Sequence, residues 1–225
     1  MARISKEHAV RKMEIMETAK KLFYTCGYDT TSVNQIIAVL GISKGAFYHY
    51  FKSKEDLLDE IIGQFIETVI TRIKPIVENP RLDPLSKLNK WISEASALKV
   101  QNPELMKTFI DVLYKKENIL IREKYRLQMN SRVVPELTRL IEEGVETGTF
   151  HTPYPRETAI MIINMGITSN DVLSNTFQNL PDPVNLDRLI KWYKLYELAF
   201  ARLLGIPENS IRIIKDEIIQ TFFRV

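Results

Sequence analysis

Residues 32–54 read Ser-Val-Asn-Gln-Ile-Ile-Ala-Val-Leu-Gly-Ile-Ser-Lys-Gly-Ala-Phe-Tyr-His-Tyr-Phe-Lys-Ser-Lys. The spacing predicts two short helices joined by a tight glycine turn, the second of them aromatic and basic. Such a pair is a helix-turn-helix, whose second helix has the shape and chemistry to enter a DNA major groove. Ser32 and Gln35, three apart, have the spacing of a capping box for the first helix of the pair. That helix directs Ile36, Ile37 and Leu40 inward and ends at Gly41. Ser43 caps the second. Ser53 with Asp56 opens a longer helix running through Leu57, Leu58, Ile61, Ile62, Phe65, Val69 and Ile73 to Pro75.

A helix that reads DNA needs small residues where its backbone approaches the duplex, donors toward phosphates and apolar residues behind. Residues 43–54 supply all three. Ser43 leaves amide groups near the phosphates. Lys44 reaches a base edge or a phosphate, and Gly45 and Ala46 present almost no side chain. Phe47 and Phe51, four apart, turn toward the core. Tyr48, His49 and Tyr50 are left outward, with polar tips for phosphates and rings for thymine methyl groups. Lys54 is expected on a phosphate. Thr31, Ser32 and Gln35 are expected to donate at the start of the preceding helix.

The net charge of +3 acquires meaning only when divided along the chain. Residues 1–54 hold nine Lys and Arg against four Asp and Glu, whereas residues 55–225 hold 22 against 24. The basic excess belongs to the end bearing the helix pair, which suggests a polyanionic partner there. Cys26 is the single cysteine, so no intrachain disulfide forms, and a reducing compartment is the simpler expectation. The start of the chain lacks an apolar signal core. The longest strongly apolar run, Ala159 to Ile167, is too short to span a bilayer. A cytoplasmic location, with no membrane partner, follows as the expectation.

Helical periodicity dominates elsewhere, and no strand is expected. Val10, Met13, Met16, Ala19, Leu22 and Phe23 share one face of a first helix, which Gly27 closes. A helical pattern from about 118 to 147 contains Pro135, which should break or kink it. Two strongly apolar helices follow, at about 156–177 and 186–204, with Gly166 permitting close approach in the first. Pro207 is expected to open a short last helix. The fold class is therefore all-α: an N-terminal three-helix helix-turn-helix domain over 1–54, and a larger helical domain over 55–225 whose first helix is the connector.

The two late helices carry apolar arcs wider than one core contact requires. Ile160, Ile163, Trp192, Leu195, Ala199 and Leu203 are the residues expected at an interface with a second copy. Met106, Phe109, Tyr114, Tyr125, Met129, Met161 and Met165 are candidates to line a small-molecule cavity, because methionine and aromatic side chains suit an adaptable pocket; plain core packing is an equal account of each. His8, His49 and His151 have no metal-site spacing. No nucleophile with its base, HExxH motif or phosphate loop suggests an enzyme, and no cofactor is implied.

Several spaced features agree at once with one family. Ala19, Leu22-Phe23, Gly27-Tyr28, Thr30-Thr31-Ser32, Ile36, Ala38, Gly41-Ile42-Ser43-Lys44-Gly45, Phe47-Tyr48-His49-Tyr50-Phe51 and Lys54-Glu55-Asp56-Leu57-Leu58 closely resemble the DNA-binding domain of the tetracycline-repressor (TetR) family. The resemblance covers about residues 8–62; Leu40, where the family often has Ala, is a mild departure. Beyond it the match is of architecture only. The resemblance implies a helical C-terminal domain that dimerises and encloses a small-molecule pocket. It also implies a ligand-responsive regulator, in most cases a repressor, whose homodimer reads a palindromic double-stranded DNA operator. The two reading helices would then lie roughly 34–36 Å apart, and an effector of unknown identity would release them.

Overall fold

The computed structural model describes residues 2–101, 119–177 and 183–213. Every regular element among them is helical: α1 Ala2–Cys26, α2 Val33–Leu40, α3 Lys44–Tyr50, α4 Lys54–Val77, α5 Pro84–Gln101, α6 Ile119–Arg132, α7 Val134–Glu146, α8 Pro155–Phe177 and α9 Pro183–Leu204. The chain forms two compact units, Met1–Phe65 and Ile66–Val225, which divide inside α4.

In the first unit the buried stripe of α1 is Ile15, Met16, Ala19 and Phe23. It starts later than the expected face: Val10 and Met13 are 50% and 42% exposed. Gly27, at φ 90°, ends α1 in the left-handed region that favours glycine. Its amide donates to the Phe23 carbonyl at 3.1 Å. Ile36 from α2, Phe47 and Phe51 around α3, and Leu57, Leu58 and Ile62 from α4 complete this core.

The second unit begins with the later half of α4, which buries Ile66, Val69, Ile73 and Val77. Asp83 caps α5, accepting from the Ser86 amide at 2.9 Å and the Ser86 hydroxyl at 2.5 Å. Those two bonds hold its carboxyl below the usual carboxylate range. The long helical pattern does break at its proline: α6 stops at Arg132, and Pro135 occupies the first turn of α7, where its missing N–H costs nothing. α7 packs against α5, α6 and α8, and α8 packs against α9. Tyr196 donates to the Ile162 carbonyl at 2.8 Å, directly over Gly166. A Cβ at Gly166 would lie 2.9 Å from that hydroxyl oxygen, which is why this crossing takes a glycine.

Lys87 is buried and forks onto both carboxylate oxygens of Glu143, at 2.7 and 2.6 Å, tying α5 to α7. Over residues 207–213 the helix expected after Pro207 is not formed. Gly205, at φ 64°, turns the chain out of α9. Residues 207–213 then run without helix: the Asn89 amide donates to the Ser210 carbonyl at 3.0 Å, and the Ile213 amide donates to Glu197 at 2.6 Å. Those long-range partners satisfy backbone groups that a helix would otherwise have satisfied. The remainder of the expected helix lies outside the described residues.

Gly144 fixes the α7 corner. A Cβ there would stand 2.0 Å from the fully buried Phe150 ring, whose amide donates to the Gly144 carbonyl at 2.9 Å. Gly144→Ala is expected to destabilise the chain by about 1–3 kcal/mol through overpacking, read as a lower urea midpoint at unchanged m-value.

Candidate nucleic-acid interface

Three serines start the three helices that form the candidate surface. Ser32 accepts from the Gln35 amide at 3.2 Å while the Gln35 side-chain oxygen accepts from the Ser32 amide at 2.7 Å, a complete capping box. Ser43 accepts from the Ala46 amide at 3.1 Å. Ser53 accepts from the Asp56 amide at 3.1 Å, and the Asp56 carboxylate accepts from the Lys52 amide, one residue before the cap, at 2.8 Å. Between α2 and α3, Gly41 at φ 63° makes the turn, and the Ile42 amide donates back to the Ile37 carbonyl at 3.3 Å. These local bonds set the angle between the two helices without help from distant residues.

α3 is divided into two faces. Phe47 and Phe51 are 0% and 2% exposed, their ring centroids 5.9 Å apart. Burying each contributes about 1.5–3 kcal/mol. Ser43, Lys44, Gly45, Tyr48 and His49 are exposed, and Ala46 and Tyr50 are half-buried. A Cβ at Gly45 would meet only the Ser43 hydroxyl oxygen, at 3.9 Å, so the backbone there is open to a close approach. The Lys44 ammonium lies 6.0 Å from the Tyr48 ring centroid and makes no ion pair among the described residues. The outer surface of α3 is thus aromatic, cationic and free of acidic side chains.

Two expected DNA-contacting residues are committed elsewhere. Thr31 is 1% exposed, and its hydroxyl donates to the Gly27 carbonyl at 2.7 Å and lies 3.3 Å from the Leu22 carbonyl. It closes the loop from α1 to α2 instead of facing outward. Lys54 donates to the Tyr28 carbonyl at 2.8 Å, with its ammonium 4.2 Å from the Tyr28 ring centroid. It straps the α1–α2 loop to α4, which explains why a lysine stands beside a buried tyrosine. Burial foremost, and then the charges of Glu55, Asp29 and Asp59, push the Tyr28 hydroxyl up from its ordinary value. Ser32 and Gln35 stay exposed, with their side-chain oxygens engaged in the capping box.

One residue joins the surface that sequence gave no reason to include. The His8 ring of α1 lies 4.6 Å from the Tyr50 ring and 5.5 Å from the His49 ring, while His49 and Tyr50 are themselves 5.1 Å apart. No local pattern connects position 8 with positions 49 and 50; only the fold does. Among the described residues no group of three metal-ligating side chains forms. Cys26 is exposed rather than buried in a helix face, because it is the last residue of α1.

Residues 15–61 match a family model described as "Bacterial regulatory proteins, tetR family". Over that segment the chain is similar to the N-terminal domain of TetR-family regulators. It is 51% identical over 59 residues to the uncharacterised HTH-type transcriptional regulator YuxN of Bacillus subtilis, a match covering 26% of this chain and 20% of that protein. It is 33% identical over 88 residues to the HTH-type transcriptional repressor KstR2 of Mycobacterium tuberculosis, covering 39% and 44%. These matches span less than half of either relative. Among solved structures, FadR of Bacillus subtilis in complex with stearoyl-CoA superposes with a TM-score of 0.64 at 21% identity, over 89% of this chain and 99% of that one. That likeness is one of fold, and it includes the C-terminal helices.

The candidate residues of that unit separate. Tyr125 is buried, and Met129 and Met165 are half-buried. Met161 is 52% exposed and so lines no enclosed cavity in this chain; its turn of α8 faces outward. Met106, Phe109 and Tyr114 lie outside the described residues. Ile160, Ile163, Trp192, Ala199 and Leu203 are half-buried, and Leu195 is 57% exposed. The Trp192 indole nitrogen is buried with no hydrogen-bond partner among the described residues.

Thr31→Val removes a buried donor without touching the outer face. It should lower stability by about 1–2 kcal/mol and leave DNA affinity per folded molecule within about twofold. Thermal unfolding beside fluorescence anisotropy with a labelled duplex checks both halves of that outcome.

Proposed function

We propose that this chain is a ligand-responsive transcriptional repressor that binds a palindromic DNA operator as a homodimer and is released by a small-molecule effector. The observation carrying this reading is the division of α3. Two buried phenylalanines fix the helix, and the Ser43 cap, Lys44, the open backbone at Gly45, Tyr48 and His49 are presented to solvent. Free amides at the start of α3 and the hydroxyl of Tyr48 suit phosphate oxygens. The rings of Tyr48 and His49 suit base edges and thymine methyl groups. The basic excess of residues 1–54 adds the counterion-release contribution that any phosphate-binding surface gains.

Dimerisation is supported by the outward apolar side chains on α8 and α9, Met161 and Leu195, beside the half-buried Ile160, Ile163, Trp192, Ala199 and Leu203. Apolar side chains this large are better covered than solvated. Two copies would give the operator its palindromy and set the spacing of its half-sites. The effector would act through its differential affinity for two arrangements of the chain, and α4, which contributes residues to both units, is the continuous element available to carry that difference. KstR2 is by name a repressor, and repression is the sense adopted here.

A competing reading gives the N-terminal unit a protein partner. Salt separates the two, because each neutralised phosphate steepens the loss of affinity with salt by about 0.9 in the log–log slope. Selection of the full chain against a random-sequence duplex pool should enrich a palindrome. Lys44→Ala should reduce the salt slope by about one per half-site, and Tyr48→Ala should weaken the selected duplex by about tenfold or more. Sedimentation should find an even number of chains per duplex, with the free chain dimeric. Failure to enrich any sequence, together with a flat salt response, would sink the proposal.

A further inference from the structure

Beyond the residues that face outward from α3 itself, the first unit holds a three-ring cluster that none of the helix-turn-helix contacts explains. His8 comes from the early turns of α1, upstream of the 15–61 segment shared with the family. Its ring sits 4.6 Å from Tyr50, tilted by 44°, and 5.5 Å from His49 at 76°. His49 and Tyr50 meet edge to face, 5.1 Å apart at 86°. Centroid separations of about 4.5–7 Å in tilted or edge-on arrangements are those in which aromatic rings attract.

We propose that His8 is a positioning residue for DNA recognition, holding the rings of His49 and Tyr50 in the orientation in which α3 presents them to the duplex. The inference rests on the DNA-binding reading above. α3 has seven residues, and its buried anchors are Phe47 and Phe51. Tyr48 contacts Phe47 edge to face at 5.4 Å, so the core orients that ring directly. Among the described residues, His49 and Tyr50, at the far end of α3, make no such ring contact with a fully buried ring; their ring contacts are with each other and with His8. A side chain already held in its bound rotamer loses less conformational freedom on binding. The His8 ring therefore strengthens recognition without itself touching a base. His8 itself precedes the matched 15–61 segment, although α1, the helix that carries it, runs on into that segment.

The test uses the full chain and the duplex enriched from the random pool, with a scrambled duplex of equal length as the nonspecific reference. His8→Ala should weaken the selected duplex about fivefold to tenfold while changing the scrambled one by less than about twofold. His8→Phe, which keeps a ring and removes the imidazole nitrogens, should restore affinity to within about twofold of the parent. In a Tyr50→Ala background the effect of His8→Ala should largely vanish, since coupled residues give non-additive changes. Thermal unfolding of each variant should match the parent, because His8 is exposed. Full additivity with Tyr50→Ala, an unchanged His8→Ala, or a His8→Phe as weak as His8→Ala would each overturn the inference. If the parent enriches no sequence at all, it is the DNA-binding reading that fails.

Discussion

The first unit depends on the burial of Phe47, at the middle of a short helix, and Phe51, at its C-terminal cap. Seven residues are too few for a helix to persist in water, where nucleation is unfavourable and isolated helices need about 12–15 residues. α3 exists because its two rings enter a core made by Ile15, Met16, Ala19, Ile36 and Leu57, and because Ser43 satisfies its first amides. Once those rings are inside, the helical repeat leaves Lys44, Tyr48 and His49 outside. The anchor and the candidate reading surface are thus two consequences of one register.

Capping does the rest of the positioning. Each of α2, α3 and α4 begins at a serine whose oxygen accepts an amide three residues on, and the bond at Ser32 is reciprocated by Gln35. These are short-range interactions of about 1 kcal/mol each, so the turn geometry is encoded next to where it is needed. The second unit is specified differently. Its corner rests on a glycine facing a buried ring, and its α5–α7 contact on a buried ammonium shared between two carboxylate oxygens. Both require partners some distance away in the chain. Such contacts leave freedom for the rest of that unit to diverge while its helices keep their order.

The same contrast decides what could be read from the sequence. Ser32 with Gln35, Ser53 with Asp56, the turn at Gly41, the break before Pro135 and the inward pair Phe47 and Phe51 all follow from spacings of four residues or fewer. Lys54 looked like an outward donor because the Tyr28 carbonyl it serves is a neighbour only in the folded unit; Thr31 looked like one because it stands in a loop, where no periodicity marks an inside, and its burial beside the Leu22 carbonyl could not be read from spacing. Met161 looked like a pocket residue because its helix is apolar nearly all round, and periodicity gives such a helix no outside. The absence of helix over residues 207–213 depended on Asn89 and Glu197, which no local pattern would pair with Ser210 and Ile213. The ring of His8 was illegible for the same reason, lying 41 positions from His49.

The central claim is that the outer face of α3, presented by its buried rings, is the surface that meets DNA. Hydrogen exchange of the full chain, with and without the duplex enriched by selection, tests it most directly. The account predicts that peptides covering residues 41–52 gain protection on adding that duplex, above all at the open amides that begin α3, while a scrambled duplex at the same concentration protects them far less. Protection confined to residues beyond 66, with 41–52 exchanging as in the free chain, would contradict it.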